Sequence, residues 1–115
     1  MSGAVPPPLW RTVRTNPPTE ADFLSFKARG LARRSGPIEQ WEGVSTFDNP
    51  AIAADMARRH HQGDYLARLD LDPAGPIRWE KTRGAGHYTI WGTPAELLAR
   101  VVEIVPLDTA EEEAQ

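Results

Sequence analysis

The chain has no cysteine, so neither a disulfide framework nor a thiolate-bound metal is open to it. Long apolar runs are missing too. No stretch approaches the roughly 18 residues that mark a membrane-spanning helix. Met1 to Pro8 has neither the positive start nor the apolar middle of a signal peptide. Histidine is scarce, limited to His60, His61 and His87. The first two are adjacent on an expected helix and point about 100° apart, which excludes i, i+4 chelation of one metal. A last-turn histidine instead suits the negative end of the helix dipole. Excess charge is lacking as well: a net charge of -3 supplies no field for nucleic acid or an anionic membrane. Arg29, Arg33 and Arg34 read as a solvated helix end rather than a basic patch. There is no P-loop, no dinucleotide fingerprint, no zinc-protease motif and no nucleophile elbow. These absences lead to the expectation of a cytoplasmic, bacterial protein that uses no metal, enters no membrane and does not bind nucleic acid.

What is present is an ordinary globular composition, 40% hydrophobic and 25% charged over 115 residues. A chain of this length forms one domain and buries roughly 65% of the surface its unfolded form exposes. The Pro-rich lead-in, residues 1–8, and the acidic tail, residues 108–115, read as disordered or frayed, leaving 9–107 as the domain. Glu111-Glu112-Glu113 reads as a solubilising end.

Leu9 to Arg14 alternates as a strand, with Leu9, Arg11 and Val13 on one face and Trp10, Thr12 and Arg14 on the other. An arginine between two apolar residues needs an anionic partner, either a structural carboxylate or a ligand phosphate. Thr19 caps an expected helix that packs Phe23 and Phe26 inward and stops at Gly30. After a loop over 33–40, a strand is expected from Trp41 to Phe47, with Val44 and Thr46 facing one way and Ser45 and Phe47 the other. Asn49 and Pro50 open a helix whose stripe is Ile52, Met56 and the alanines between them.

Tyr65 to Leu71 reads as a half-buried strand, and Ile77 to Glu80 as a short one. Gly84-Ala85-Gly86 leads into His87-Tyr88-Thr89-Ile90-Trp91, either a stacking wall for a flat ring or a strand whose aromatics fill the core. Thr93-Pro94-Ala95-Glu96 carries a capping box with proline at the first helical position. Val101 to Val105 is a β-branched closing strand. The order β-α-β-α-β-β-β-α-β predicts an α+β fold: a small split mixed or antiparallel sheet with two longer helices and one short one.

Leu9-Trp10-Arg11, and Gly43 to Pro50 leading into the alanine-rich helix, together resemble the ADP-ribosyltransferase-like superfamily, which includes the RES-domain toxins. Tyr65 to Leu71 fits the next core strand of that layout. The resemblance implies that Arg11 contacts the pyrophosphate or ribose of NAD, and that Ser45 or Thr46 supports the nicotinamide end. His87 would line the pocket, with Tyr88 or Trp91 stacking on the nicotinamide. Glu96 stands nearest to the expected catalytic acid; Glu103 and, by the RES pattern, Asp55 are its alternatives, and the family's Glu-x-Glu is absent. The implied activity is an ADP-ribosyl transferase or NAD glycohydrolase of toxin type, with NAD as substrate and either water or a macromolecular nucleophile, such as a protein target, as acceptor. The rival reading is a non-catalytic protein-interaction module, such as an immunity, antitoxin or accessory protein with a cognate partner. Four tryptophans suit either a pocket or a protein-binding patch.

Overall fold

The computed structural model describes residues 5–33, 37–82 and 84–107. Among these residues six strands form one sheet: β1 (Leu9–Val13), β2 (Val44–Phe47), β3 (Tyr65–Leu69), β4 (Arg78–Lys81), β5 (His87–Trp91) and β6 (Val101–Pro106). Their spatial order is β4-β5-β2-β1-β3-β6 and every pairing is antiparallel. The expected α+β class holds, and the sheet is antiparallel rather than mixed. Helices α1 (Ile38–Glu42), α2 (Pro50–His60) and α3 (Pro94–Leu98) complete the fold with a 3-10 turn at Glu20–Phe23.

Strand alternation sorts the sheet into two faces. On one, Leu9, Val13, Val44, Ala67, Leu69 and Ile90 join Phe23 and Leu97 in the larger core. The 3-10 turn and α3 pack together over it. On the other, Ala53, Ala54 and Ala57 of α2 lie against Leu66 and Val105, with Trp10 and Phe47 at the margin. Alanine side chains let the helix axis approach the sheet closely. The buried stripe of α2 is therefore its alanines, with Ile52 and Met56 only half-buried. Leu66, fully buried beneath α2, makes β3 a strand covered on both faces rather than the half-buried one expected.

Local signals account for most element ends. Asn49 Oδ1 accepts the Ala51 and Ile52 amides at 2.8 and 3.2 Å, with Pro50 behind it. Helix α2 closes on His61 in the left-handed region, φ 52°. At α3, Thr93 Oγ1 accepts from Glu96 N (3.1 Å) and Glu96 Oε1 accepts from Thr93 N (2.8 Å), the reciprocal box read from the sequence.

Two expected elements come out differently. The helix from Thr19 to Gly30 is one 3-10 turn, and Leu24 is already extended. Only Phe23 reaches the core, whereas Phe26 stays 47% exposed. With a single buried anchor there is no apolar stripe to stabilise more turns. Ser25 Oγ also takes the Ala28 amide at 3.0 Å, a local bond that competes with helical pairing. Second, Trp41 and Glu42 belong to α1 rather than to β2. Trp41 Nε1 donates to the Leu31 carbonyl at 2.8 Å, and Gly43 ends the helix. The Gly43 backbone passes so close to β5 that a Cβ there would lie 2.3 Å from Thr89 Cγ2. Among the described residues there is thus one longer helix, α2, where two were expected. Within the lead-in Pro6 is buried; residues 1–4, the acidic tail 108–115 and Arg34 lie outside the described residues.

Candidate functional site

Strand β1 pairs with β3 over five residues but meets β2 at only one register position, Trp10 opposite Phe47. Beyond that point the two strands part, and Arg11 fills the gap. Its Nε donates to the Asp22 carbonyl and its Nη1 to the Ser45 carbonyl, both at 3.0 Å. The guanidinium thus ties β1 to β2 and to the 3-10 turn. Its protein partners are backbone carbonyls. The Asp22 carboxylate is used elsewhere, accepting from Arg14 N (3.0 Å) and Thr19 N (2.9 Å).

Burial pushes the Arg11 pKa down from the ordinary arginine value to about 10; the nearby charge of Arg29 adds to this, and that of Asp22 opposes it. The folded value lies below the unfolded one, so at neutral pH the group is charged in both states and the cost of burying that charge is present. The cost is relieved only as pH rises through about 10 toward the ordinary arginine value.

Ser45 turns its hydroxyl to the opposite side of the sheet from Arg11. There β2 and β5 pair in the register Ser45–Thr89 and Phe47–His87, which puts Ser45, Phe47, His87, Thr89 and Trp91 on one face. His87 Nε2 lies 3.2 Å from Ser45 Oγ. Its Nδ1 meets Thr82 Oγ1, which also lies 3.1 Å from Thr89 Oγ1 and 3.3 Å from the His87 carbonyl. Phe47 packs edge-on against the imidazole with ring centroids 5.2 Å apart. The ring is therefore fixed in orientation, and its two nitrogens are coupled: where Thr82 donates to Nδ1, Nε2–H donates to Ser45, and the reverse tautomer makes Nε2 the acceptor.

The turn before β5 makes this arrangement feasible. Gly84 and Gly86 have φ of 78° and 71°, a region that side-chain-bearing residues rarely adopt. The Gly86 carbonyl accepts the Asp48 amide at 2.9 Å, so the turn is pinned to the end of β2.

The remaining nominated residues are distributed as follows. Thr46 is fully buried and donates to the Tyr88 carbonyl at 3.1 Å, holding β2 to β5. Tyr88 packs against the larger core, away from His87. Trp91 shares the His87 face; its Nε1 donates to the Glu39 carbonyl at 2.9 Å and Arg78 lies 3.8 Å over its ring. All three nominated acids have partners: Glu96 in the capping box, Glu103 with Arg68 at 3.1 Å, and Asp55 with Arg59 at 3.0 Å. Thr82 was not foreseen, Thr89 was read only as the hydroxyl of the 87–91 segment, and Asp22 only as the capping acid of Thr19, a bond that is present at 2.9 Å. Thr82 had a readable signal, since a β4–β5 hairpin turning at Gly84 to Gly86 sets it opposite His87.

A shallow depression of about 390 Å³ lies along β4, lined by Pro73, Gly75, Pro76, Ile77, Arg78 and Trp79. It contains none of the nominated residues and no convergent polar cluster, so the Ser45–His87 group is the better candidate on chemical grounds. Among the described residues no three His, Asp or Glu side chains gather as metal ligands, and no helix is long and apolar enough to cross a membrane. Comparison with family models, curated proteins and solved structures finds no match for the chain.

Proposed function

We propose that the protein is an NAD-binding domain of ADP-ribosyltransferase-like layout, acting as an ADP-ribosyl transferase or NAD glycohydrolase. One observation carries the reading. Ser45 bonds Arg11 through its carbonyl and His87 through its hydroxyl, so residues nominated on β1, β2 and β5 form one connected group. In this reading the nicotinamide end sits by Ser45 and His87, with Trp91 on the same face, and Arg11, on the opposite face, steadies Ser45 through its carbonyl. Tyr88, on the other face, and Thr46, sealed between strands, support the pocket from behind. Glu96 acts as the acid only by leaving the Thr93 amide and reaching the ribose 2'-hydroxyl, where a carboxylate stabilises an oxocarbenium-like transition state electrostatically.

The test separates binding from turnover. NAD is titrated while tryptophan fluorescence and heat are recorded, and nicotinamide release is assayed in parallel. Saturable binding that His87→Ala weakens, with an unchanged circular dichroism spectrum, supports the reading. A folded protein that gives neither heat nor quenching at millimolar NAD sinks it. Glu96→Gln tests the acid alone, because it should abolish nicotinamide release and leave binding in place.

A second reading, a protein-interaction module of the immunity or antitoxin kind, is favoured by a different observation. Phe26, Leu31 and Ile38, on the segment joining β1 to β2, are 47%, 45% and 48% exposed. Large apolar side chains gathered on one segment suit a partner surface, and this is the reading that failure with NAD leaves standing.

A further inference from the structure

The hydrogen bonds around His87 fix where its proton sits. Thr82 has a single hydroxyl proton. Its oxygen lies 3.3 Å from the His87 carbonyl, which can only accept, and 3.1 Å from Thr89 Oγ1. With the Thr82 proton on that carbonyl, Thr89 donates to Thr82, and the remaining lone pair of Thr82 Oγ1 faces His87 Nδ1. Nδ1 is then the protonated nitrogen. Nε2 keeps a lone pair and accepts from Ser45 Oγ at 3.2 Å. Each proton in the chain has its own acceptor. The reverse tautomer would leave Thr82 one proton for two acceptors, Nδ1 and the carbonyl.

A hydroxyl, an imidazole that accepts from it and a third group that orients the imidazole are the parts of an activated nucleophile. The parts are held firmly. Phe47 packs edge-on against the imidazole, and Arg11 Nη1 anchors the Ser45 carbonyl from the opposite face. Ser45, His87 and Thr82 are all half-buried, so solvent and small molecules reach them. Phe47, two residues along β2, and Trp91, diagonal to Ser45 on β5, flank the hydroxyl on the same face. Aromatic flanks suit an aryl or acyl group better than a charged one.

We propose that Ser45 is a nucleophile toward activated carboxylic esters, with His87 as its base and Thr82 positioning that base. Ser45 Oγ bonds to the acyl carbon as its proton passes to Nε2. The bond from that carbon to the leaving oxygen then breaks, and the imidazolium returns the proton to the leaving group. Water, deprotonated by the same nitrogen, attacks the acyl-serine, releases the carboxylic acid and restores Ser45. Ester and water thus become acid and alcohol. The inference does not depend on the NAD reading, which uses Ser45 only to hold the nicotinamide end.

An alkyl fluorophosphonate tests it, because Ser45 Oγ would bond to phosphorus, expel fluoride and stay modified. The full chain is incubated with the probe and read by intact mass and peptide mapping. One adduct, on Ser45, is expected. Ser25 is the internal control: it is equally half-buried, but its Oγ takes the Ala28 amide at 3.0 Å. His87→Ala should slow labelling about a hundredfold, the usual worth of a general base. Thr82→Val keeps the shape without the hydroxyl and should slow it about tenfold, whereas Thr82→Ser should restore it; a packing role for Thr82 would give the opposite order. p-Nitrophenyl acetate hydrolysis should follow the same ranking. A folded parent chain without an adduct on Ser45, equal labelling of Ser25 and Ser45, or an unchanged rate in His87→Ala overturns the proposal.

Discussion

The two faces of the sheet are built on different principles. Beneath the 3-10 turn and α3, large aliphatic side chains fill the space: Leu9, Val13, Leu69, Ile90 and Leu97 are all fully buried. The only cation on that side, among the described residues of β1, β2 and β5, is Arg11, which plugs the strand gap. Beneath α2 the helix contributes alanines, and it packs over β1, β2 and β3. Along β5 the same face carries Ser45, His87, Thr82 and Thr89, joined by hydrogen bonds. Depth of apolar packing and polar chemistry are thus divided between the faces. A deep aliphatic layer admits a polar group only where backbone carbonyls satisfy it, as for Arg11 and Thr46, whereas a close, small-residue helix covers part of a face and leaves the rest for polar side chains.

The contrast predicts opposite sensitivities to volume. Leu69→Ala, on the aliphatic face, should lower unfolding free energy by about 3 kcal/mol, the usual cost of lost burial plus a cavity. A urea midpoint close to that of the parent protein would mean this face is not the main core. On the α2 face the vulnerable change is enlargement. Ala54 has no exposed surface, so Ala54→Leu should push the helix off the sheet at a cost of about 2 kcal/mol. If Ala54→Leu proves neutral or stabilising, the helix is not held at close range and the contrast between faces fails.

Much of this division could be read from alternation alone. Arg11 with Leu9 and Val13, and Ser45 with Phe47, are sorted to the faces they occupy, because a period of two leaves no freedom once a residue is in a strand. The caps at Asn49 and Thr93 were equally legible, since each depends on residues within three positions. What stayed hidden was non-local. Nothing near Thr19 says that its turn will end at Leu24, because that outcome depends on how few of Phe23, Leu24 and Phe26 find the core. The partner of Arg11 was equally out of view: a carboxylate or a phosphate was expected, and two backbone carbonyls from distant segments hold it. Thr82 escaped because its role depends on the hairpin register, not on its neighbours.

The smallest effect bears most directly on function. Ser45 is half-buried, and water can replace its hydroxyl at His87, so Ser45→Ala should cost only about 0.5–1 kcal/mol, the net value of one hydrogen bond. A double-mutant cycle with His87→Ala isolates the bond itself: a coupling of about 0.5 kcal/mol is expected, because the two side chains touch. Coupling indistinguishable from zero would reduce the polar cluster to bystanders on a sheet surface. The same variant then separates the two faces by function. If the polar face is where NAD binds, Ser45→Ala should weaken NAD about tenfold, about 1.4 kcal/mol in binding, more than it costs in folding. Leu69→Ala should do the reverse, lowering stability while leaving NAD affinity near that of the parent in the folded fraction. Equal losses of affinity in both variants would mean that the faces do not divide the work, and that binding follows global stability alone.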